Sequence, residues 1–204
     1  MSEFTLNYGY LWDLDTTMRQ AKTLKDAEIK RVLAYCATRQ HALRDTTIFV
    51  FSLHAGLRAK ELAALRISDV YDDVGNVHSS FVLSAAATKG ARTRTVYVNK
   101  TLKRQLAQYY PTLPTQPTAP LFCSQKGSFF SANTMCQLLI HIFQQCSLKH
   151  ATSHSGRRTF ITRLASKGVG VRVLAELAGH SSIATTQRYI DVNAEQLANA
   201  VELV

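Results

Sequence analysis

The stretch "TTIFVFSLHAGLRAKELAALRI" (Thr46–Ile67) decides much of the fold, because it changes character at one glycine. Its first half is apolar on almost every side, which is typical of a helix buried at the centre of a domain. Gly56 interrupts this run, and helical spacing then resumes through Leu62 and Leu65. We therefore expect a buried helix, a break and a second helix, with Arg58 at the junction.

Helical periodicity continues on both sides of this stretch. Upstream, "TLKDAEIKRVLAYC" has an apolar stripe, and Thr23 is a candidate for the N-cap of its helix. Downstream, "TLKRQLAQYY" predicts a short helix, and Ser131 is expected to cap another. The remaining chain reads as short helices broken at glycines, and "LFCS" is a candidate short strand.

A β-hairpin is predicted after the turn cluster "DDVGN". The sequence "SSFVLSAAATKGARTRTVYVNK" reads as two β-stretches around Lys89 and Gly90, with alternation from Thr95 to Val98 in the second. The proline-rich run "PTLPTQPTAP" is expected to be a surface linker within the domain. The predicted fold class is therefore mainly α with a small antiparallel sheet.

The composition describes a globular, strongly basic chain. Its 204 residues are 46% hydrophobic, which is enough for one sizeable core. A formal charge of +10 favours a polyanionic partner, with nucleic acid ahead of an anionic membrane. The sequence has no apolar run that could span a bilayer and no secretory signal at its N-terminus, so we expect a cytoplasmic protein without membrane association.

The cysteines and histidines do not have the spacing of a metal site. Cys36, Cys123, Cys136 and Cys146 are far apart and include no C-x-x-C pair. His141, His150 and His154 likewise lack the spacing and the carboxylate neighbours that metal ligation needs. We therefore predict no metal and no cofactor.

Two clusters carry candidate chemistry in the first half of the chain. Arg58 lies at the helix junction, where Glu61, three residues on, can orient its guanidinium. Lys89 lies in the basic stretch "TKGARTR" of the hairpin, which taken alone is better explained as a charged guard of a sheet edge.

Two more clusters lie in the second half. In "SHSGRRTF", His154 and Arg157 share one face at a helix start, a position that favours phosphate, and Arg158 is adjacent. In "LAGHSSIATTQRYI", the stripe of Ile183, Thr186, Gln187 and Ile190 leaves Tyr189 off the packing face, nine positions after His180. Alone, each cluster also has an ordinary structural explanation, such as a half-buried tyrosine with a wet hydroxyl.

In their order along the chain, "HAGLRAKEL", "TKG" before "RTVYV", "HSGRRTF" and "LAGHSSIATTQRY" resemble the motifs of the tyrosine recombinase and integrase family. The resemblance covers roughly residues 23–203 and implies the catalytic-domain fold of that family. It implies Glu61 as the acid that supports the first arginine. The implied catalytic residues are Arg58, Lys89, His154, Arg157, His180 and the nucleophile Tyr189. The neighbouring arginines Arg92, Arg94 and Arg158 are expected to contact DNA.

The chemistry of this family explains these residue types. Planar guanidiniums match the charge that develops on a phosphodiester under attack, and His180 would assist them. A phenol has a pKa of about 10 and must lose its proton during attack, for which His154 is the natural acceptor. Lys89 would protonate the departing 5′-oxygen. The expected product is a 3′-phosphotyrosyl link that another strand can reverse, without metal or ATP.

The resemblance also implies a domain organisation and partners. We expect an N-terminal extension over residues 1–22, the catalytic domain over 23–192 and a C-terminal helix over 193–204 that docks on its own domain or on a neighbouring protomer. The expected partners are a double-stranded recombination site, a homotetramer on that DNA, and a partner recombinase in some settings. A separate core-binding domain, common in relatives, is not recognised in these 204 residues, so we expect either a catalytic fragment or a short single-domain member of the family.

Three positions depart from the usual motifs: Gly156 stands where leucine is common, Arg158 where histidine is common, and Tyr97 where a proline is common. The main alternative function is a DNA-binding regulator that keeps the fold without cutting. A type IB topoisomerase would share the tyrosine chemistry. A metal-dependent nuclease would need clustered carboxylates near the basic motifs, and the sequence offers none there.

Overall fold

The structure is a computed structural model that describes residues 21–85, 93–125, 127–189 and 201–202. Short and medium helices make up most of it, in agreement with the predicted fold class. The helices of the first half are α1 (Asp26–Ala37), α2 (Ala42–His54), α3 (Ala59–Ala64), α4 (Ile67–Val70) and α5 (Lys100–Tyr109). Those of the second half are α6 (Ala132–Gln145), α7 (Ser155–Ser166), α8 (Val171–Ala178) and α9 (Ile183–Gln187).

Helix α2 is the central helix of the domain, as its apolar sequence predicts. It packs against α1, α5 and α7, and its residues from Thr47 to Leu53 are all buried. Phe51 meets Phe81 of the hairpin and Phe122 edge-on, with ring centroids 6.3 and 6.0 Å apart. Gly56 ends this region with a φ of 61°, a conformation that glycine adopts at little cost. The chain can therefore turn directly into α3.

The predicted N-cap of the first helix is wrong, since α1 begins at Asp26 and not after Thr23. The Glu28 carboxylate accepts a hydrogen bond from the Lys25 backbone N–H at 2.9 Å, which satisfies the helix start locally. The residues before it are tied to α7 instead: the Leu24 N–H donates to Thr159 Oγ1 at 2.8 Å. Thr23 Oγ1 accepts from Arg158 Nε at 3.2 Å.

The hairpin is present as predicted, with strand β1 (Ser80–Leu83) antiparallel to strand β2 (Arg94–Tyr97). The register pairs Phe81 with Val96 and Leu83 with Arg94. Phe81, Leu83, Val96 and Arg94 are buried, so both strands turn this face towards the core. The turn between the strands, with Lys89 and Arg92, lies outside the described residues.

The "LFCS" stretch does not form the expected strand. Leu121 and Phe122 are adjacent and both buried, at 0% and 1% exposure, whereas a half-buried strand would alternate. Among the described residues, this region and its neighbour Pro120 form isolated bridges, between Arg66 and Pro120 and between Cys123 and Phe129. Most of residues 111–119 are exposed, as expected for a surface linker.

Helices α7, α8 and α9 are separated at Gly168, Gly170 and Gly179, as predicted, whereas no glycine lies between α6 and α7. Ser131 caps α6 by accepting from the Thr134 N–H at 3.0 Å, and α8 ends at Gly179 in the left-handed conformation. None of the helices in the described ranges is long and apolar enough to cross a bilayer.

Candidate active site

Arg58 lies at the N-cap of α3, in the break between α2 and α3 that follows Gly56. Its side chain is 20% exposed, and its Nη1 donates to Glu61 Oε1 at 2.8 Å. The Glu61 Oε2 atom accepts from the Arg58 backbone N–H at 2.8 Å. Glu61 itself is fully buried. Glu61 therefore holds both the backbone and the guanidinium of Arg58.

Arg157 comes from the first turn of α7 and is 3% exposed. Its Nη1 donates to the Gly56 carbonyl at 2.7 Å, and its Nη2 donates to the Ala178 carbonyl. Burial, together with the positive charges of Arg58 and Arg94, lowers the pKa of Arg157 to about 9. Because this pKa remains above neutral pH, Arg157 is a buried cation at pH 7.

Arg94 was predicted to contact DNA, and in the structure its guanidinium is bound inside the domain. It is 6% exposed, and its Nη2 donates to Glu61 Oε2 at 3.0 Å. Its Nη1 donates to the Leu177 carbonyl. The reason is the strand alternation, which places Arg94 on the same inward face as Val96. Arg94 belongs to the inner support of the site.

The C-terminal end of α8 gathers all three arginines. The consecutive carbonyls of Leu177, Ala178 and Gly179 accept hydrogen bonds from Arg94, Arg157 and Arg58 in that order. A helix C-terminus leaves carbonyls without intrahelical partners and carries partial negative charge, which suits cations. The site is therefore built on one helix end, towards which three distant parts of the chain reach.

Gly179 makes this approach possible. It has a φ of 60°, which L side chains rarely adopt, and a Cβ at this position would lie 2.4 Å from Cδ of Arg94. The left-handed turn also reverses the chain immediately before His180, whose backbone N–H donates to the Ala175 carbonyl at 2.9 Å. The turn thus delivers the imidazole to the same helix end.

His180 is half-buried and oriented by one specific contact. Its Nδ1 lies 2.8 Å from the hydroxyl oxygen of Thr186, which is fully buried. Burial, together with the positive charges of Arg157, Arg58 and Arg94, lowers the pKa of His180 to about 4. At neutral pH the imidazole is therefore uncharged, and one of its nitrogens is a donor.

Tyr189 lies against His180. The two rings are stacked with centroids 5.6 Å apart and planes 19° apart. Arg158 covers the phenol, with its guanidinium carbon 5.2 Å from the ring centroid. The charge of an ionised Tyr189 would raise the pKa of Arg157, so the phenol lies within electrostatic reach of that guanidinium. Four of the six predicted catalytic residues, namely Arg58, Arg157, His180 and Tyr189, are therefore brought together.

The other two predicted catalytic residues, His154 and Lys89, are not among these four. His154 is the exposed N-cap residue of α7, one turn before Arg157. Lys89 lies outside the described residues, as does the predicted DNA contact Arg92. Arg158 is partly exposed beside Tyr189, so its predicted DNA contact stays a prediction.

The electrostatics of the cluster favour an anion. Arg58 and Arg94 pair with one buried carboxylate, Glu61, and Arg157 is bound by backbone carbonyls, so the site holds a surplus of positive charge largely removed from water. Charges removed from water are costly without partners, and an incoming phosphate would supply them. Within the described ranges, no three His, Cys, Asp or Glu side chains are placed to share a metal ion.

Two features of the site were not predicted from the sequence. The inward position of Arg94 could have been found by extending the alternation of β2 back by one residue from Thr95. Thr186 was placed on the packing stripe, and it is buried, but its bond to His180 was not predicted. Ile183, on the same stripe, is 40% exposed, because α9 has only five residues and covers little surface.

A mainly helical domain with a small hairpin and this cluster has the architecture of a tyrosine recombinase catalytic domain. The chain belongs to the phage integrase family, whose model matches residues 22–196. Tyrosine recombinase XerA of Pyrococcus horikoshii is 30% identical over 185 residues. That match covers 89% of this chain and 60% of the relative, so this chain spans well under the full length of that protein.

Solved structures show the same fold. The crystal structure of XerA recombinase is similar with a TM-score of 0.70 and 25% identity, over 89% of this chain and 64% of that one. The catalytic domain of bacteriophage HP1 integrase is similar with a TM-score of 0.64 and 22% identity, over 90% of this chain and 95% of that one. The prediction of a tyrosine recombinase catalytic-domain fold is confirmed.

Proposed function

We propose that this chain is a site-specific DNA recombinase that cuts and rejoins strands through a covalent tyrosyl intermediate. The observation that carries the proposal is the meeting of Arg58, Arg157, His180 and Tyr189 at the C-terminal end of α8. Membership of the phage integrase family supports it. The basic charge of the chain, +10, suits a DNA partner.

The proposed reaction begins with the attack of the Tyr189 phenolic oxygen on a DNA phosphorus. A bond forms between that oxygen and phosphorus, and the bond from phosphorus to the 5′-oxygen breaks. His154 accepts the phenolic proton, and Lys89 gives a proton to the departing 5′-oxygen. The product is a 3′-phosphotyrosyl link and a free 5′-hydroxyl.

Three donors stabilise the transition state in this proposal. The guanidiniums of Arg58 and Arg157 match the planar geometry of two non-bridging oxygens. The Thr186 hydroxyl can donate to Nδ1 of His180, which leaves the proton on Nε2 as a donor for phosphate. Because these groups are held before DNA arrives, they need little reorganisation during attack.

Rejoining follows from the same chemistry in reverse. A 5′-hydroxyl from a second strand attacks the phosphotyrosyl phosphorus, releases Tyr189 and restores a phosphodiester, so no ATP is consumed. Exchange between two duplexes requires four active sites, and we propose a homotetramer on DNA that acts in the cytoplasm and in some settings includes a partner recombinase. The segment 193–204, which lies outside the described residues apart from residues 201–202, is proposed to dock on a neighbouring protomer.

The experiment uses a pool of duplexes with randomised sequence around a central nick. Cleavage near the nick releases a short 5′-hydroxyl fragment, which diffuses away and traps the covalent intermediate. The proposal predicts a protein–DNA band that survives denaturant in the presence of EDTA, and the recovered DNA would reveal the preferred site. DNA binding without such a band would instead support a non-catalytic regulator, and cleavage that EDTA abolishes would support a nuclease.

A further inference from the structure

The Arg94 side chain makes two attachments within the site, one to Glu61 and one to the end of α8. It belongs to β2, the strand that follows the hairpin turn with Lys89. Its guanidinium joins this strand to Glu61 on α3 and to the Leu177 carbonyl at the end of α8. Its Nε has no hydrogen-bond partner among the described residues. The two Nη groups therefore carry its described hydrogen bonds.

The first attachment completes the set of donors around Glu61. Oε1 accepts from Arg58 Nη1, whereas Oε2 accepts from both the Arg58 backbone N–H and Arg94 Nη2, at 2.8 and 3.0 Å. Without Arg94, the hydrogen bonds described for this carboxylate would all come from Arg58. Arg94 thus restrains the plane of the carboxylate that orients Arg58.

The second attachment fixes the end of α8. The Leu177 carbonyl that binds Arg94 is adjacent to the Ala178 carbonyl that binds Arg157. The fit is close, since a Cβ on residue 179 would lie 2.4 Å from Cδ of Arg94. The position of the helix end, and of His180 immediately after it, therefore depends on the Arg94 side chain.

We propose that Arg94 is a positioning residue that holds strand β2, Glu61 and the end of α8 in one arrangement. It thereby sets Arg58, Arg157 and His180 relative to strand β2, which follows Lys89 in the sequence. This inference rests on the proposed function. The role requires the planar fork of arginine, because the two acceptors are reached by different Nη groups, and the compact ammonium of lysine cannot reproduce that geometry.

The first experiment compares Arg94→Lys with the wild-type protein on the DNA recovered from the nicked pool. At saturating protein, single-turnover formation of the covalent complex is expected to fall about 100-fold, the loss that a displacement of about 1 Å causes. The dissociation constant for DNA is expected to stay within about threefold of wild type. Arg104→Lys, on the exposed side of α5, is the matched control and should leave both quantities unchanged.

NMR titration of His180 in two variants separates the positioning role of Arg94 from the effect of its charge. Arg94→Lys keeps a positive charge, so the pKa of His180 should stay depressed while cleavage is lost, whereas Arg94→Met should raise that pKa. Cleavage by Arg94→Lys within threefold of wild type would overturn the proposal. A wild-type protein that forms no covalent complex would overturn the proposed function instead.

A measurement on the unaltered protein covers the case in which the variants do not fold. Two Nη groups bound to two separate acceptors should slow the rotation of the Arg94 guanidinium, so its Nη protons should give separate NMR signals in the free protein. Exposed Arg104 should give averaged signals under the same conditions. Averaged signals for Arg94 would show that the fork is not held, and the positioning role would be overturned.

Discussion

The imidazole of His180 is stacked on the phenol of Tyr189, with ring centroids 5.6 Å apart and planes 19° apart. His180 follows the end of α8, and Tyr189 follows the end of α9, so the short α9 folds back to bring the rings together. The stack places the proposed nucleophile beside a group that can donate to phosphate. It also explains why Tyr189 lies away from the packed face of α9.

The two guanidiniums nearest the proposed phosphate should dominate the cleavage rate. We expect Arg58→Ala and Arg157→Ala each to reduce the single-turnover cleavage rate by about 10²–10³-fold, because each removes a fixed donor to developing charge. Arg104→Ala, exposed on α5, is the matched control and should cleave as wild type does. Loss of DNA binding in proportion to the loss of cleavage would contradict a role in the transition state.

Thr186 should act through the orientation of His180. Thr186→Val keeps the buried shape and removes the hydroxyl that meets Nδ1 of His180 at 2.8 Å. A hydrogen bond of this kind is worth about 1 kcal/mol, so we expect cleavage to slow by about fivefold with unchanged DNA affinity. Thr185→Val, on the exposed side of α9, is the control. Equal rates for the two variants would show that the contact does not orient the imidazole.

The depressed pKa of His180 predicts a pH dependence of stability. Its pKa is about 4 in the folded protein and 6.5 as the ordinary value, so between these pH values the unfolded chain binds more protons. The free energy of unfolding contributed by this group is therefore fully present above pH 6.5 and is lost as the pH falls towards 4.

Urea unfolding at a series of pH values measures this effect. His180→Gln should show a shallower loss of stability between pH 6.5 and 4 than wild type. His141→Gln, on the exposed side of α6, should retain the wild-type slope. If His180→Gln retained the wild-type slope as well, the result would contradict a lowered pKa of His180 in the folded protein.

Gly156, where many relatives carry leucine, is required here by the packing of α7 on α2. A Cβ at this position would lie 2.0 Å from Oγ and 2.7 Å from Cβ of Ser52. Overpacking of this kind costs about 1–3 kcal/mol, so Gly156→Ala should lower the midpoint of urea unfolding. The double variant with Ser52→Gly should recover part of the loss.

Gly170 provides the matched control for Gly156. A Cβ there meets nothing within 4 Å, and Gly170→Ala should change stability by less than about 1 kcal/mol. Equal losses for the two alanine variants would show that the contact with Ser52 is not the cause.

Much of the fold could be predicted because it depends on local patterns. The apolar run of α2, the break at Gly56 and the alternation in the hairpin each appear within a few residues of sequence. The start of α1 could not be predicted from Thr23, because a tertiary contact of Leu24 with α7 holds that segment extended. Local capping signals do not report such contacts.

The sequence motifs predict which residues belong to the candidate site, but not the contacts that hold those residues in place. The motifs named Arg58, Arg157, His180 and Tyr189, yet helical spacing shows only which face a residue occupies. Three arginines bind one helix end through the backbone carbonyls of Leu177, Ala178 and Gly179. Every residue has a backbone carbonyl, so the amino-acid sequence does not show which carbonyls an arginine will bind. The catalytic roles of all six motif residues, the DNA contacts of Arg92 and Arg158, and the docking of residues 193–204 stay predictions.

The central claim is that the Tyr189 oxygen forms a covalent bond to a DNA phosphorus. Wild type and Tyr189→Phe should be incubated with the nicked duplex pool, denatured and analysed for protein-linked DNA, with peptide mass spectrometry to locate the link. We predict a covalent complex at Tyr189 for wild type, and none for Tyr189→Phe at nearly equal DNA affinity. A denaturant-resistant complex of equal yield with Tyr189→Phe would contradict the account.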